Sequence, residues 1–126
     1  MSNAMNGLSK TFVQEDTSLA AYRLVKIGTA VNEVVAATAD TDVLFGVTDE
    51  SANATAGDEV NVLLGGVVKL CIASASTKGG YITATTGGKG ALTTTNLKKY
   101  VGILLETTTA SDQIAQVLLC PGQMSV

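Results

Sequence analysis

The 126-residue chain has no histidine and no tryptophan. Without histidine the Ser-His-Asp and Cys-His devices are excluded, and the commonest zinc ligand is missing. The two cysteines, Cys71 and Cys120, stand far apart in apolar sequence and make no zinc motif. They are expected as reduced, buried or half-buried thiols. A disulfide between them stays open, because spacing alone does not place their Cα atoms within bridging distance. Aromatic residues are scarce, and Tyr22, Tyr81 and Tyr100 are dispersed, so no aromatic platform for a sugar is legible. Lysines and arginines are outnumbered by acidic residues and are scattered. No basic stripe exists for nucleic acid. No apolar run approaches the roughly 20 residues that span a bilayer, and no secretory signal is apparent. Neither nucleic acid nor membrane is expected as a partner.

What remains is rich in Thr, Ala, Val and Gly, a composition that favours pleated sheets and tight turns over amphipathic helices. The core must be built from Val, Ile and Leu, each contributing about 1.5–3 kcal/mol when fully buried. A small aliphatic core of this kind often gains from association with copies of itself. The opening MSNAM reads as a cloning remnant over residues 1–4 before a natural start at Met5.

Motifs that would carry chemistry fail one by one. Gly87-Gly88-Lys89-Gly90 resembles a phosphate loop, but the glycine four residues ahead of the Gly-Lys pair is missing and Gly90 stands where Ser or Thr should bind metal. The acidic pairs Glu15-Asp16, Asp49-Glu50 and Asp58-Glu59 fall in turn-like sequence, where they keep strand edges soluble. Asp40-Thr41-Asp42 lacks the remaining spacing of an EF-hand loop. Asn53-Ala54-Thr55 is a glycosylation sequon expected to be fortuitous. No catalytic residue, cofactor, metal or small-molecule substrate is expected, and the chain reads as a structural protein rather than an enzyme.

The strongest positive signal is a repeat. Residues 43–66, VLFGVTDESANATAGDEVNVLLGG, and residues 99–122, KYVGILLETTTASDQIAQVLLCPG, follow one plan of strand, loop and strand. Gly46 matches Gly102, Val47 matches Ile103 and Glu50 matches Glu106. Asp58 and Val60 are aligned with Asp112 and Ile114, with the second copy two residues shorter. The longest regular segment places Val60, Val62, Leu64, Gly66, Val68, Leu70 and Ile72 on even positions, which predicts a strand with that face inward. Gly65-Gly66 lets this ribbon bend and serve two sheets in turn. Its other face carries Leu63 and Val67, expected to meet a second copy of the chain rather than water. Short helical turns are expected at residues 38–42 and 95–99.

Residues 5–20 show neither strand alternation nor a helical face. They are expected to form a flexible arm before a single β domain over residues 21–126. Within it Leu8, Lys10, Thr11, Phe12 and Val13 offer a few apolar anchors among polar groups. Such an arm would order on a partner, adding to a sheet edge.

The order of motifs supports a resemblance. Gly46-Val47, then Ala56-Gly57-Asp58-Glu59-Val60-Asn61-Val62, then Gly66-Val67-Val68-Lys69, then Val101-Gly102-Ile103-Leu104-Leu105-Glu106 together resemble the small decoration, or cement, proteins of tailed-phage capsids. The chain is more distantly similar to lambda-type head decoration proteins. The resemblance spans about residues 21–119, and the Thr-rich segment 83–95 departs from it. It implies a compact all-β, barrel- or sandwich-like domain built from two related β units. It also implies a homotrimer seated on the outside of an expanded head, clamping the major capsid protein, with an N-terminal arm reaching onto the lattice. The place of action would be the virion, after assembly in the host cytoplasm. The alternative is another β structural module, from a tail, fibre or surface layer, or a small ligand-binding module.

Overall fold

A computed structural model of the chain describes residues 8–15, 19–40, 42–53, 55–93 and 99–123. The described residues form ten strands and, as their sole helical element, a 3-10 turn at Thr86–Gly88. The strands are β1 (Ser9–Gln14), β2 (Leu24–Ile27), β3 (Glu33–Ala36), β4 (Gly46–Thr48), β5 (Glu59–Leu63), β6 (Gly66–Ile72), β7 (Tyr81–Ala84), β8 (Gly90–Thr93), β9 (Lys99–Leu104) and β10 (Gln113–Gln123). They close into two five-stranded barrels, β1-β3-β2-β4-β5 and β10-β6-β8-β7-β9. The all-β expectation of two related units is met. Closure leaves neither sheet with a free edge.

The duplication is deeper than the sequence repeat. β1 lies parallel to β3, and β6 lies parallel to β8. Every other pairing in both barrels is antiparallel and joins corresponding strands. So β1–β5 and β6–β10 are one fold used twice. The two legible segments, residues 43–66 and 99–122, are its closing hairpins, β4–β5 and β9–β10.

The register corrects one detail. Val62 lies opposite Thr48, and Val117 lies opposite Leu104, so Val62 corresponds to Val117 and Val60 to Ala115. Aligning Val60 with Ile114 is off by one residue, and a one-residue slip moves a side chain to the other face. Ile114 is 41% exposed, whereas Ala115 is 3% exposed. The residue entering the last strand at positive φ is Gly57 in one copy and Asp112 in the other (φ 92° and 58°). The second loop is therefore shorter by one residue rather than two.

The matched glycines have a physical reason. A Cβ on Gly46 would lie 2.6 Å from Val62 Cγ1 and 2.7 Å from the Leu63 carbonyl oxygen. A Cβ on Gly102 would strike the corresponding Leu118 carbonyl oxygen. Both sites need the backbones of two neighbouring strands to approach closely.

The predicted ribbon over residues 60–72 passes from one barrel to the other. β5 ends at Leu63, the chain bends through Leu64-Gly65, and β6 begins at Gly66 with φ 80°, a left-handed conformation that suits glycine. Val60 and Val62 are buried in the first core, with Leu64 packed against it. Val68, Leu70 and Ile72 are buried in the second. Where a helical turn was expected over residues 38–42, the described residues 38–40 and 42 form a bend, and residue 41 lies outside the described residues. The Asp42 carboxylate accepts backbone N–H bonds from Thr38 (2.8 Å) and Ala39 (3.1 Å). Residues 94–98, most of the other expected turn, lie outside the described residues.

The largest change from expectation is at the N-terminus. Ser9–Gln14 is not a free arm but strand β1, bonded antiparallel to β5 and parallel to β3. Phe12 is buried, its ring 5.5 Å from that of Phe45. The weak alternation of this strand hid it, because it borrows its order from two neighbours. Residues 5–7 and 16–18 of the expected arm lie outside the described residues.

Candidate functional site

The two barrels share a junction. Leu24, Val47 and Leu63 are cross-strand partners along one row of the first barrel's outer wall. Leu24 and Val47, with Ala37 and Leu44, are buried in the cluster that forms the second core, and Leu63 packs against it. The second barrel meets this wall with β6 and the Thr86–Gly88 turn. Cys71 N–H donates to the Tyr22 carbonyl oxygen (2.8 Å), and Arg23 Nη1 donates to the Gly87 carbonyl oxygen (3.1 Å). A Cβ on Gly88 would lie 2.7 Å from the Leu24 carbonyl oxygen, so glycine is required for the approach. The barrels are therefore packed wall to wall.

Beside the junction opens a cleft of about 360 Å3, lined in part by Tyr22, Asp49, Glu50, Asn61, Leu63, Val67 and Lys69. Tyr22 donates its hydroxyl to Glu50 Oε2 (3.2 Å), and that bond to an acidic group raises the Tyr22 pKa. Burial works to raise the Asp49 carboxyl. Hydrogen bonds donated by Ser51 and by Asn61 Nδ2 (2.9 Å) outweigh it and hold the carboxyl below its usual range. Asp49, Glu50 and Ser51, in the loop that follows β4, are thus engaged with Tyr22 ahead of β2 and with Asn61 of β5. They form no nucleophile–base pair, and among the described residues no group of His, Cys, Asp and Glu is arranged to hold a metal. Cys71 is buried and Cys120 half-buried, both free thiols.

The residues singled out in the sequence separate into two groups. Leu63 and Val67 come together, half-buried, but they line the cleft between barrels of the same chain. Leu8, Lys10 and Thr11 are exposed at the start of β1. Lys10 Nζ sits 4.5 Å from the Phe12 ring centroid and donates to Asn32 Oδ1 (3.0 Å). Phe12 and the half-buried Val13 serve the first barrel.

Sequence reasoning missed the surface that the duplication reveals. In the second barrel Tyr81, Ile103 and Leu118 form the row that corresponds to Leu24, Val47 and Leu63. Tyr81 and Leu118 are each 38% exposed, and the Tyr81 ring stacks on Tyr100 with centroids 4.6 Å apart. The available signal was the match of Val47 with Ile103, whose neighbours are apolar in both copies.

Comparison with known proteins agrees with this architecture. The head fibre gp8.5 N base of bacteriophage phi29, a solved crystal structure, superposes with a TM-score of 0.71 at 19% sequence identity, covering 90% of this chain and 93% of that one. That similarity establishes a shared fold. No curated protein matches the chain. The sequence model of the phage cement proteins matches residues 5–120, and the chain belongs to that family of phage structural proteins.

Proposed function

We propose that this protein binds the outer surface of a tailed-phage capsid as a homotrimer and stabilises the expanded head by clamping neighbouring copies of the major capsid protein. The family match over residues 5–120 carries the reading. The architecture supports it. Two closed barrels locked through a common apolar cluster make a stiff body, and a clamp must resist deformation to transmit load. The exposed residues Leu8, Lys10 and Thr11 at the entry to β1 are proposed as part of the capsid contact, with Phe12 and Val13 anchoring that contact to the barrel. Three such contacts on one trimer would add through effective concentration.

The test is co-sedimentation of the purified chain with expanded and unexpanded heads of its phage. Saturable binding to expanded heads, with heads that survive chelation or heating better when coated, is the expected result. Absence of binding to expanded heads overturns the reading. A second reading, the base of a head fibre, is favoured by the fold shared with the phi29 head fibre base. Electron microscopy of coated heads separates the two, because a fibre base carries a projecting appendage and a clamp does not.

A further inference from the structure

The duplication pairs each covered surface of one barrel with a counterpart on the other. The first barrel's row Leu24, Val47, Leu63, with Leu44 beside it, is covered by the second barrel. The second barrel's equivalent row Tyr81, Ile103, Leu118, with Tyr100 beside it, has no barrel of its own chain over it. It has kept large apolar side chains, although the outward positions of a solvent-facing barrel wall ordinarily alternate to polar residues. The surface that does the covering, β6 and the Thr86–Gly88 turn, also has a counterpart. It is β1 and the turn at residues 28–32 between β2 and β3. There Val31 is 89% exposed, at the position equivalent to Gly87, which receives Arg23.

From this we infer that the Tyr81–Tyr100–Ile103–Leu118 wall binds a second copy of this chain, which seats its β1 and its 28–32 turn there as β6 and the Thr86–Gly88 turn seat on the first barrel's wall within one chain. Continuity with the internal junction argues for this occupant. The tail of each chain offers the surface that its own first barrel already uses, and the head offers the partner surface. Such a contact is heterologous, so it propagates in one direction and closes into a ring if the rotation between copies permits. The ring would then be a continuous circle of alternating first and second barrels joined by one kind of wall. This rests on the self-association in the proposed function. The seat uses the end of β1 around Val13, the position equivalent to Cys71 at the internal junction, and leaves Leu8, Lys10 and Thr11 at the start of the strand to the capsid.

Sedimentation velocity of the full chain across a wide concentration range measures the association. Leu118→Asp and Tyr81→Ser should each weaken it at least about 30-fold, as expected for residues at the centre of an interface. Their unfolding midpoints should stay close to wild type, because both side chains are partly exposed. Val31→Asp on the opposite end should do the same. Disulfide trapping reads the polarity. Tyr81→Cys protein mixed with Val31→Cys protein, both carrying Cys120→Ser, should give the crossed dimer on oxidation. Symmetric Tyr81→Cys dimers in place of crossed ones overturn the head-to-tail arrangement. Association unaffected by Leu118→Asp and Tyr81→Ser in folded protein overturns the surface. A wild-type chain that is monomeric in solution and gives no crossed dimer on the head overturns the inference, even if it binds heads. Association without head binding supports it while removing the capsid reading.

Discussion

The first and second barrels share strand order and pairing but differ in residues, and their positive-φ sites show which is constrained. Tyr22, Asn32 and Asp112 are the non-glycine residues at positive φ (60°, 64° and 58°) among those described. By strand register each corresponds to a glycine at positive φ in the other barrel. Tyr22 corresponds to Gly79, Asn32 to Gly88, and Asp112 to Gly57. The fold demands a left-handed residue at three places per barrel. One copy meets the demand with glycine, and the other with a side chain that returns something for the strain. Asn32 accepts a bond from Lys10, Asp112 pairs with Lys89 (2.8 Å), and Tyr22 reaches Glu50. Backbone geometry is thus conserved within the molecule where side-chain identity is not.

The interiors differ in the same way. Gln14 is fully buried in the first barrel where Ile72 is buried in the second. Gln14 Nε2 donates to the Thr55 carbonyl oxygen (2.7 Å), and Asn53 N–H donates to Gln14 Oε1 (2.9 Å). The amide pins the longer loop between β4 and β5. In the second barrel the shorter loop is held instead by Ser76 and Thr108, which exchange backbone bonds (3.1 and 2.9 Å).

The largest effect that would break the equivalence is at the matched glycines. Gly102→Val should cost about 4 kcal/mol or more, because the new Cβ meets strand backbone that cannot move aside. Gly46→Val should follow it closely, and urea unfolding monitored by circular dichroism measures both. Equivalent positions should then diverge. Leu24→Ala, at the covered wall, should cost about 2–4 kcal/mol. Tyr81→Ala, at the open wall, should cost under about 1 kcal/mol in the monomer. Equal losses would show that the two walls are alike in the free chain.

Gln14→Leu should cost about 1–3 kcal/mol, since the Asn53 N–H and the Thr55 carbonyl lose their partner while buried volume is kept. Hydrogen exchange should rise locally in residues 49–58. Gly57→Ala and Gly79→Ala have open space around the added methyl, so their cost is backbone strain alone, about 1–2 kcal/mol. Calorimetry resolves that difference. The smallest effect is at Asp42. Burial acts to raise its carboxyl, but the Thr38 and Ala39 amides and Lys26 (3.3 Å) pull it below the unfolded value of 3.8. A depressed carboxyl stabilises the fold above its unfolded pKa, and that stability is lost as pH falls through the lower folded value. Asp42→Asn should therefore flatten the acid limb of the stability profile as pH falls past the unfolded value of 3.8, by less than about 1 kcal/mol for an ion pair near the surface.

Much of this fold was legible. Period-two alternation over residues 60–72 picked out inward residues of both barrels, because a barrel wall has one dry face and the even positions are all apolar or glycine, but the pattern reads as one shared aliphatic core where the structure has two. The glycine pair inside that run marked the crossing between units. β1 was not legible. Its sequence, SKTFVQ, carries a lysine and two hydroxyl residues, and its inward residues are one phenylalanine and a glutamine that reads as solvent-facing until its loop partners are known. The correspondence of β1–β3 with β6–β8 was hidden as well, since Val34 answers to Gly90 and Phe12 to Leu70. The candidate interface needed that correspondence before Tyr81 and Leu118 stood out.

The sequence by itself determined that the chain is all-β, duplicated and packed with small aliphatic side chains, because those properties follow from residue type and short-range periodicity. Only the tertiary structure decided that the duplication has ten strands, that residues 9–14 are wall rather than arm, and that Leu63 is used up inside the chain while Leu118 is left open. Those facts depend on which strands close a barrel and which wall one barrel turns to the other. They are pairings between segments far apart in the chain, and no local pattern encodes them.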